Sequence, residues 1–470
     1  MTAATPSASF FDALTAVLGP GGVVRDPSGL ASYESDGFLA KARPTAVCLP
    51  ETTEQVAAVM RLAGERGMPI TPRGAGTGLS GGATPVGGGL VIGTSRMSRI
   101  LSIDPENMRA VVQPGVVNLD LSEATSRHGL YYAPDPSSQR VSTIGGNVAE
   151  NAGGAHCLKY GVTTNHVLGM EVVLSDGAIA HLGDFSGANF GGEAPGYDLP
   201  GLVTGSEGCL ALVTAVAVRL MRRAESVRTV LALFSSDLDA GAACSAIVAA
   251  GVIPAALEFV DAHVIRALRM AGFLEYPSDA AAVLLVELEG LIEQTAEEAE
   301  RVCAILVTHN ATEVRRATEA SERDRLWAGR KGAAGAMGQL APNYYIQDGV
   351  VPRSRMVEVL GQINQIAIRH GLTIVNVFHA GDGNLHPSIV YDARTPGLTA
   401  RVIDAGAEIL RACVDAGGTL SGEHGVGLEK QAYLDWVMTS QDQTAQRTLK
   451  RAFDPQLRLN PGKPFSGPLA

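Results

Sequence analysis

Two glycine-bedded stretches carry the side chains best suited to bond-making chemistry. HAGDGNLHP, 379–387, sets His379 and His386 on either side of Gly381-Asp382-Gly383-Asn384. The glycines and Pro387 forbid a helix, so only a bent loop can bring the two imidazoles together. SGEHGVGLEK, 421–430, places Glu423 and His424 side by side between glycines. Two imidazoles and one carboxylate make a common shell for Zn²⁺, Fe²⁺ or Mn²⁺ with open positions. The same spacing also suits a purely structural histidine pair. Asp382 and Asn384 fit better as holders of the loop through Asx-type hydrogen bonds than as ligands.

A second kind of chemistry is written in bare backbone. TPRGAGTGLSGGATPVGGG, 71–89, contains the letters G-x-G-x-x-G. A dinucleotide turn of the Rossmann kind must lead straight into a helix whose N-terminus carries the diphosphate. Here Gly81-Gly82, Pro85 and Gly87-Gly88-Gly89 follow and break any helix. The loop is instead a run of N–H groups that can form an anion-binding nest, with Arg73 adding charge or fixing the loop. PDPSSQRVSTIGGNVAENAGGAHCLKYG, 134–161, is expected to expose further amides at Gly145-Gly146-Asn147 and Gly153-Gly154, and GSEGCL, 205–210, adds a third set. Each alone reads as a surface turn. Together they favour a large, extended cofactor with a diphosphate and a flat ring.

These loops need elements to hold them. Residues 8–18 pattern as an amphipathic helix stopped by Gly19-Pro20, and ARPTAVCLP as a strand. Thr52 and Gln55 have capping-box spacing at the head of TEQVAAVMRLAGERG, where Val56, Val59, Met60 and Ala63 recur at helical spacing. VLGMEVVLSDGAIAHL predicts a hairpin turning at Asp176-Gly177, and LVTAVAVRL a strand. Near 223 the texture changes to helices alternating with strands without glycine loops, which predicts a second, α+β domain. The expected division is an N-terminal helical segment, 1–40; a cofactor domain, 41–222; a substrate domain carrying the histidines, 223–430; and a C-terminal helical segment, 431–470, returning to the cofactor domain.

A length of 470 residues exceeds one simple core. A net charge of -11 argues against nucleic-acid binding through a basic face, but not against a local basic pocket for an anion. The six cysteines are scattered without a C-x-x-C, which argues against an iron–sulfur cluster and a disulfide framework and suits a reducing cytoplasm. No signal peptide is visible and no apolar run approaches the ~20 residues of a spanning helix, so membrane contact is expected only through partners.

PRGAGTGLSGG, IGGNVAENAGG and the glycine-flanked GSEG resemble the FAD-binding (PCMH-type) domain of the vanillyl-alcohol oxidase family of flavoproteins. In that family the first loop wraps the diphosphate, while the second and third lie against the flavin and ribityl chain. The resemblance implies cofactor contacts from Pro72, Arg73, Gly74, Ala75, Gly76, Thr77, Gly78, Leu79, Ser80 and Gly81. It extends them to Pro134, Asp135, Ser138, Gly145, Gly146, Asn147, Asn151, Gly153, Gly154 and Gly161, and to Gly205, Glu207, Gly208 and Asn460. Many relatives tether FAD through a histidine in the first loop; Thr77 stands at the matching place, implying noncovalent FAD.

HAGDGNLHP and SGEHGVGLEK, with RLWAGRKGA and NYYIQDGVVPR, resemble the FAD-dependent D-2-hydroxyacid dehydrogenases over about 40–465, most closely the branch of glycolate oxidase flavoprotein subunits and D-lactate dehydrogenases. That resemblance implies His379, His386 and Glu423 as ligands of a divalent metal, Zn²⁺ first and Fe²⁺ or Mn²⁺ otherwise. It implies His424 as catalytic base, although a further metal ligand is its other reading. Arg330 becomes the grip on the substrate carboxylate, where its sequence alone suggests a salt bridge on its own helix face near Glu322 and Asp324. Ile346 and Ser388 stand where the hydroxyglutarate enzymes carry a lysine and an asparagine, which points away from a dicarboxylic substrate.

The implied fold is α+β: a two-subdomain FAD-binding domain plus a cap domain with an antiparallel sheet. The implied reaction is oxidation of glycolate or D-lactate to the 2-oxo acid, with hydride transfer to flavin N5 and metal-assisted loss of the hydroxyl proton. Electrons would leave to a separate acceptor, an iron–sulfur subunit, a cytochrome or a quinone, in a complex with a second flavin-domain subunit. The expected location is cytoplasmic, with peripheral attachment at the inner membrane through partners. The alternatives are a D-2-hydroxyglutarate-type enzyme and a flavin-binding accessory subunit without turnover. A metallohydrolase would leave three glycine loops unexplained.

Overall fold

The computed structural model describes residues 8–186 and 196–465. The chain forms two compact units, both mixing helices and strands. The first comprises Met1–Gly153, Val162–Arg223 and Glu423–Ala470; the second comprises Gly154–Gly161 and Ala224–Gly422. The sequence pattern did not separate the eight residues 154–161 from their surroundings, and it placed the chain's return at 430, where the structure has it after Gly422.

In the first unit, β1 (Val23–Val24), β2 (Ala46–Cys48), β3 (Ile70–Arg73) and β4 (Leu90–Gly93) form a sheet in the order β1-β2-β4-β3. β2, β4 and β3 run parallel, and all three are short, almost continuous buried runs, as a parallel sheet requires. The helices Ala8–Leu18 and Thr53–Gly64 lay Phe10, Leu14, Val56, Val59 and Met60 into its core. Thr52 Oγ1 caps the second helix by accepting from Gln55 N at 3.3 Å. The reciprocal bond differs from a capping box, because Gln55 Oε1 accepts from Glu51 N at 2.7 Å.

An antiparallel sheet follows. β5 (Ile100–Asp104), β6 (Arg109–Val112), β8 (Val167–Val173), β9 (Ile179–Gly183) and β10 (Leu212–Arg219) stand in the order β5-β6-β10-β8-β9. β7 (Leu130–Tyr131) and β11 (Met221–Arg222) pair separately. The β8–β9 hairpin turns at Asp176-Gly177, where Asp176 Oδ1 accepts from Ala178 N. No helix follows GTGLSG, so residues 74–89 are a true loop. One expectation is corrected: Gly145-Gly146-Asn147 is not a bare loop but the first turn of a helix, Ile144–Glu150. Thr143 explains this, since its Oγ1 accepts from Gly146 N as an N-cap. The Gly145 amide is also spent, donating to Pro114 O at 2.8 Å.

The second unit is built on seven strands: β12 (Ser226–Phe234), β13 (Ala256–Asp261), β14 (Ala282–Gly290), β15 (Ala311–Ala317), β16 (Asn343–Ile346), β17 (Thr373–His379) and β18 (Pro387–Tyr391). Their order is β15-β12-β14-β13-β17-β18-β16, with every pairing antiparallel. On one face Leu231, Leu233, Ala256, Val260, Val283, Leu285, Val375 and Val377 pack with Val264 and Leu268 of the helix Ala262–Met270 and with Trp327 of the helix Ala320–Ala336. Among the described residues the six cysteines form no disulfide, and no helix is long and apolar enough to cross a membrane.

Candidate functional site

The three glycine segments converge inside the first unit. A Cβ on Gly74 would lie 2.5 Å from Thr143 Oγ1, and one on Gly208 would lie 3.0 Å from Pro72. Glycine is what lets the second and third segments close on the first. Gly76 is required twice over: its φ is +73°, and a Cβ would strike the Arg73 guanidinium at 2.1 Å. Arg73 itself is buried and donates to Ser35 O at 2.8 Å, so it fixes the loop. Asn460 Nδ2 donates to Gly82 O at 2.8 Å and to Glu207 O at 2.7 Å, stapling the first segment to the third.

Glu207 is tied to backbone by its side chain. Its carboxylate accepts from Val426 N at 2.8 Å and from Gly427 N at 2.9 Å, within the segment that follows Glu423-His424. Ser80 adds two ties: its Oγ donates to His424 O at 2.8 Å, and its carbonyl accepts from Leu428 N at 2.7 Å. The glycine loops therefore grip the backbone on both sides of the expected base. Of the expected cofactor contacts, Gly154 and Gly161 fall in the second unit and the others in the first.

Several buried groups around these loops lack a protein partner among the described residues: Ser142 Oγ, Asn147 Nδ2 and Thr204 Oγ1. A buried donor or acceptor left unpaired costs about 1–3 kcal/mol. Such groups, beside backbone that side chains do not cover, fit a polyhydroxylated, phosphate-bearing cofactor.

In the second unit β17 and β18 carry the histidines. A four-residue turn, 380–383, and an isolated bridge, His379↔Asn384, fold the chain between them. Asp382 Oδ1 accepts from Asn384 N at 3.0 Å and holds the turn. Gly383 has φ +82°, and a Cβ there would meet Val351 O at 2.2 Å, so only glycine closes the loop. The rings of His379 and His386 stand edge to face with centroids 5.2 Å apart, and both residues are buried. Their ligand atoms lie within 4.8 Å of each other, a spacing one cation can bridge.

Two carboxylates that the sequence reading did not single out support this pair. Glu258, 0% exposed, stands directly opposite His379 in the β13–β17 register. Its Oε1 lies 2.8 Å from His379 Nδ1, and its Oε2 accepts from Arg330 Nε at 2.5 Å. Arg330 is thus in an ion pair, but with a glutamate 72 residues away rather than with its own helix face. Burial pushes the Glu258 carboxyl up, while Arg330 and His379 pull it down further, leaving it below the usual carboxylate range. Asp348, also fully buried, accepts from Ser421 Oγ at 2.6 Å and from Gly422 N at 3.1 Å, and its Oδ1 lies 3.9 Å from His386 Nδ1. It anchors the chain at the residue immediately before Glu423. The signal for Glu258 was a charge flanked by apolar residues in the middle of a strand, ALEFVD.

Ile346 and Ser388 are direct cross-strand partners on β16 and β18. Ser388 also pairs with Val375, and strand alternation then sets Ser388, Ile346 and His379 on one face of the sheet.

Residues 44–183 match the family described as FAD binding domain, and 223–464 match the one described as FAD linked oxidases, C-terminal domain. The chain is 47% identical over 432 residues to glycolate oxidase subunit GlcD of Escherichia coli strain K12, covering 92% of this chain and 86% of that protein. It is 35% identical over 421 residues to a D-lactate dehydrogenase of Archaeoglobus fulgidus, covering 89% and 90%. The structure of p-cresol methylhydroxylase with substrate bound superposes with a TM-score of 0.82 at 18% identity, over 98% of this chain and 97% of that one, which speaks to the fold alone. An FAD-binding domain whose glycine segments converge on unpaired polar groups, followed by the matching C-terminal domain, identifies this chain as an FAD-dependent oxidoreductase of the FAD-linked oxidase family.

Proposed function

We propose that this enzyme oxidises a short D-2-hydroxy monocarboxylic acid, glycolate or D-lactate, to the corresponding 2-oxo acid. The observation that carries the reading is the buried His379–His386 pair, joined through Glu258 to Arg330. A cation site and a guanidinium on one carboxylate suit a substrate with a hydroxyl next to a carboxylate. The similarity to glycolate oxidase GlcD and D-lactate dehydrogenase supports the same class. Ile346 and Ser388 offer no cation or amide for a second carboxylate, which favours a monocarboxylate over hydroxyglutarate.

When bound, FAD supplies the two-electron acceptor, and a divalent cation supplies Lewis acidity toward the substrate hydroxyl. His379 and His386, with Glu423, would hold the cation. Arg330 holds the substrate carboxylate through charge-assisted hydrogen bonds and fixes which way the carbinol carbon points. His424 takes the hydroxyl proton on its imidazole, and the Ser80 and Glu207 ties to its backbone segment keep that ring in place. FAD is noncovalent, with Thr77 at the place of the tethering histidine. Electrons pass to a separate protein or quinone, and the naming of GlcD as a subunit supports assembly with partners.

Anaerobic bleaching of the bound flavin by a panel of glycolate, D-lactate, L-lactate and D-2-hydroxyglutarate tests the reading. Glycolate or D-lactate should reduce it fastest, with slow reoxidation in air. His424→Gln should slow reduction by about 10²–10⁴ while flavin remains bound. Fast reduction by His424→Gln, or preference for the dicarboxylate, would sink the assignment.

A further inference from the structure

We infer that Glu258 is a positioning residue that sets the ligand atom of His379 and the presented edge of Arg330 at once, so that cation affinity and substrate-carboxylate affinity stand or fall together. The inference rests on the proposed roles of His379 and Arg330. Both oxygens of one fully buried carboxylate are committed, Oε1 to His379 Nδ1 and Oε2 to Arg330 Nε.

The chemistry of each contact fixes an orientation. An ionised carboxylate only accepts hydrogen bonds. His379 must therefore donate through Nδ1–H, and the atom it turns to a cation is Nε2. A carboxylate behind a ligating imidazole also raises its basicity. Arg330 likewise spends its Nε–H on Glu258, so a substrate carboxylate meets the two terminal Nη groups, end-on, rather than the Nε edge.

The backbone makes the arrangement rigid. Glu258 and His379 are directly paired across antiparallel strands. Arg330 shares a helix face with Trp327, three residues earlier, and Trp327 Nε1 donates to Glu287 Oε2 at 2.6 Å on the neighbouring strand β14. Two side chains of one helix thus dock on two carboxylates of the sheet, and the guanidinium has little freedom to turn away.

The test uses the full-length, FAD-bound chain. Zn²⁺ affinity is measured by competition with a fluorescent chelator, and flavin reduction by glycolate or D-lactate gives KM and kcat. Glu258→Gln should weaken Zn²⁺ about 10–100-fold and raise KM at least about tenfold, with the flavin absorbance and circular dichroism unchanged. Glu258→Asp keeps the charge but is too short to reach both partners, and should restore at most one of the two affinities. Independently of any variant, ¹⁵N spectra of histidine-labelled wild type without metal should show His379 as the Nδ1–H tautomer.

Unchanged Zn²⁺ affinity and KM in Glu258→Gln would overturn the inference while leaving the reaction assignment intact. So would an Nε2–H tautomer in the wild type, whether or not the variant folds. A wild type that binds no Zn²⁺, Fe²⁺ or Mn²⁺ would instead overturn the metal reading beneath it, and the cation half of the inference with it.

Discussion

Glu258 and Glu287 in the second unit, and Glu150 and Glu207 in the first, are four glutamates withdrawn from water to opposite effect. Burial raises all of them. In the second unit Arg330 and His379 more than offset it for Glu258, and hydrogen bonds from His156, Trp327 and Thr229 do so for Glu287, so both stay below the usual range. In the first unit the nearby charges of Lys430 and Lys463 pull Glu150 and Glu207 down but do not offset burial. Glu207 accepts from the Val426 and Gly427 amides and remains raised. Glu150 keeps Oε2 without a partner among the described residues, stands near Glu207 and Asp36, and is raised well above the ordinary value. Asp261 shows that the partner, not the unit, decides. It lies in the second unit, receives the amides of Val264 and Asn376, and burial pushes it up to about 6. A carboxylate touching a guanidinium or imidazole stays a fixed anion and orients cations. One touching only amides is left raised by burial and orients backbone.

The contrast can be broken by substitution. The largest loss should come from Glu258→Leu, which leaves Arg330 charged and unpaired in a buried place; about 3–5 kcal/mol should vanish in chemical unfolding monitored by tryptophan fluorescence. Glu207→Ala frees two buried amides and should cost about 1–3 kcal/mol by the same measurement, with looser flavin as a second sign. Asp261→Asn keeps a capping oxygen, so its effect should be smaller and should depend on pH. Because the folded value near 6 lies above the unfolded one, this carboxyl contributes most at low pH and its contribution falls as pH rises through about 6. The Tm of wild type should therefore lose ground to Asp261→Asn between pH 5 and pH 7.5. Glu150→Gln should be smallest at low pH, under about 1 kcal/mol, and should turn increasingly favourable as pH rises, by the same sign. A Glu150→Gln variant that loses stability with rising pH would mean that its carboxylate is paired after all.

Much of the scaffold was legible in the residues. The glycines and Pro85 after GTGLSG ruled out a helix there, because they break one wherever they stand. Asp176-Gly177 announced its hairpin, and the H-x6-H run across glycines announced a bent loop joining two imidazoles. The second glycine stretch misled, because Thr143 can cap a helix that begins with two glycines, and a cap outweighs poor propensity over a seven-residue segment.

What the chain by itself determined was the set of local possibilities: bare amides for a cofactor, a turn that pairs His379 with His386, a guanidinium on a helix. Backbone dihedral freedom and hydrogen-bond capacity belong to each residue and its near neighbours, so these could be read from order alone. Only the tertiary structure decided which carboxylates stand behind them. Glu258 lies 121 residues from His379 and 72 from Arg330, and strand register and the docking of one helix bring the three into contact. In a sheet the neighbour that fixes a side chain's charge and direction sits on another strand, and its distance along the sequence carries no trace of that closeness.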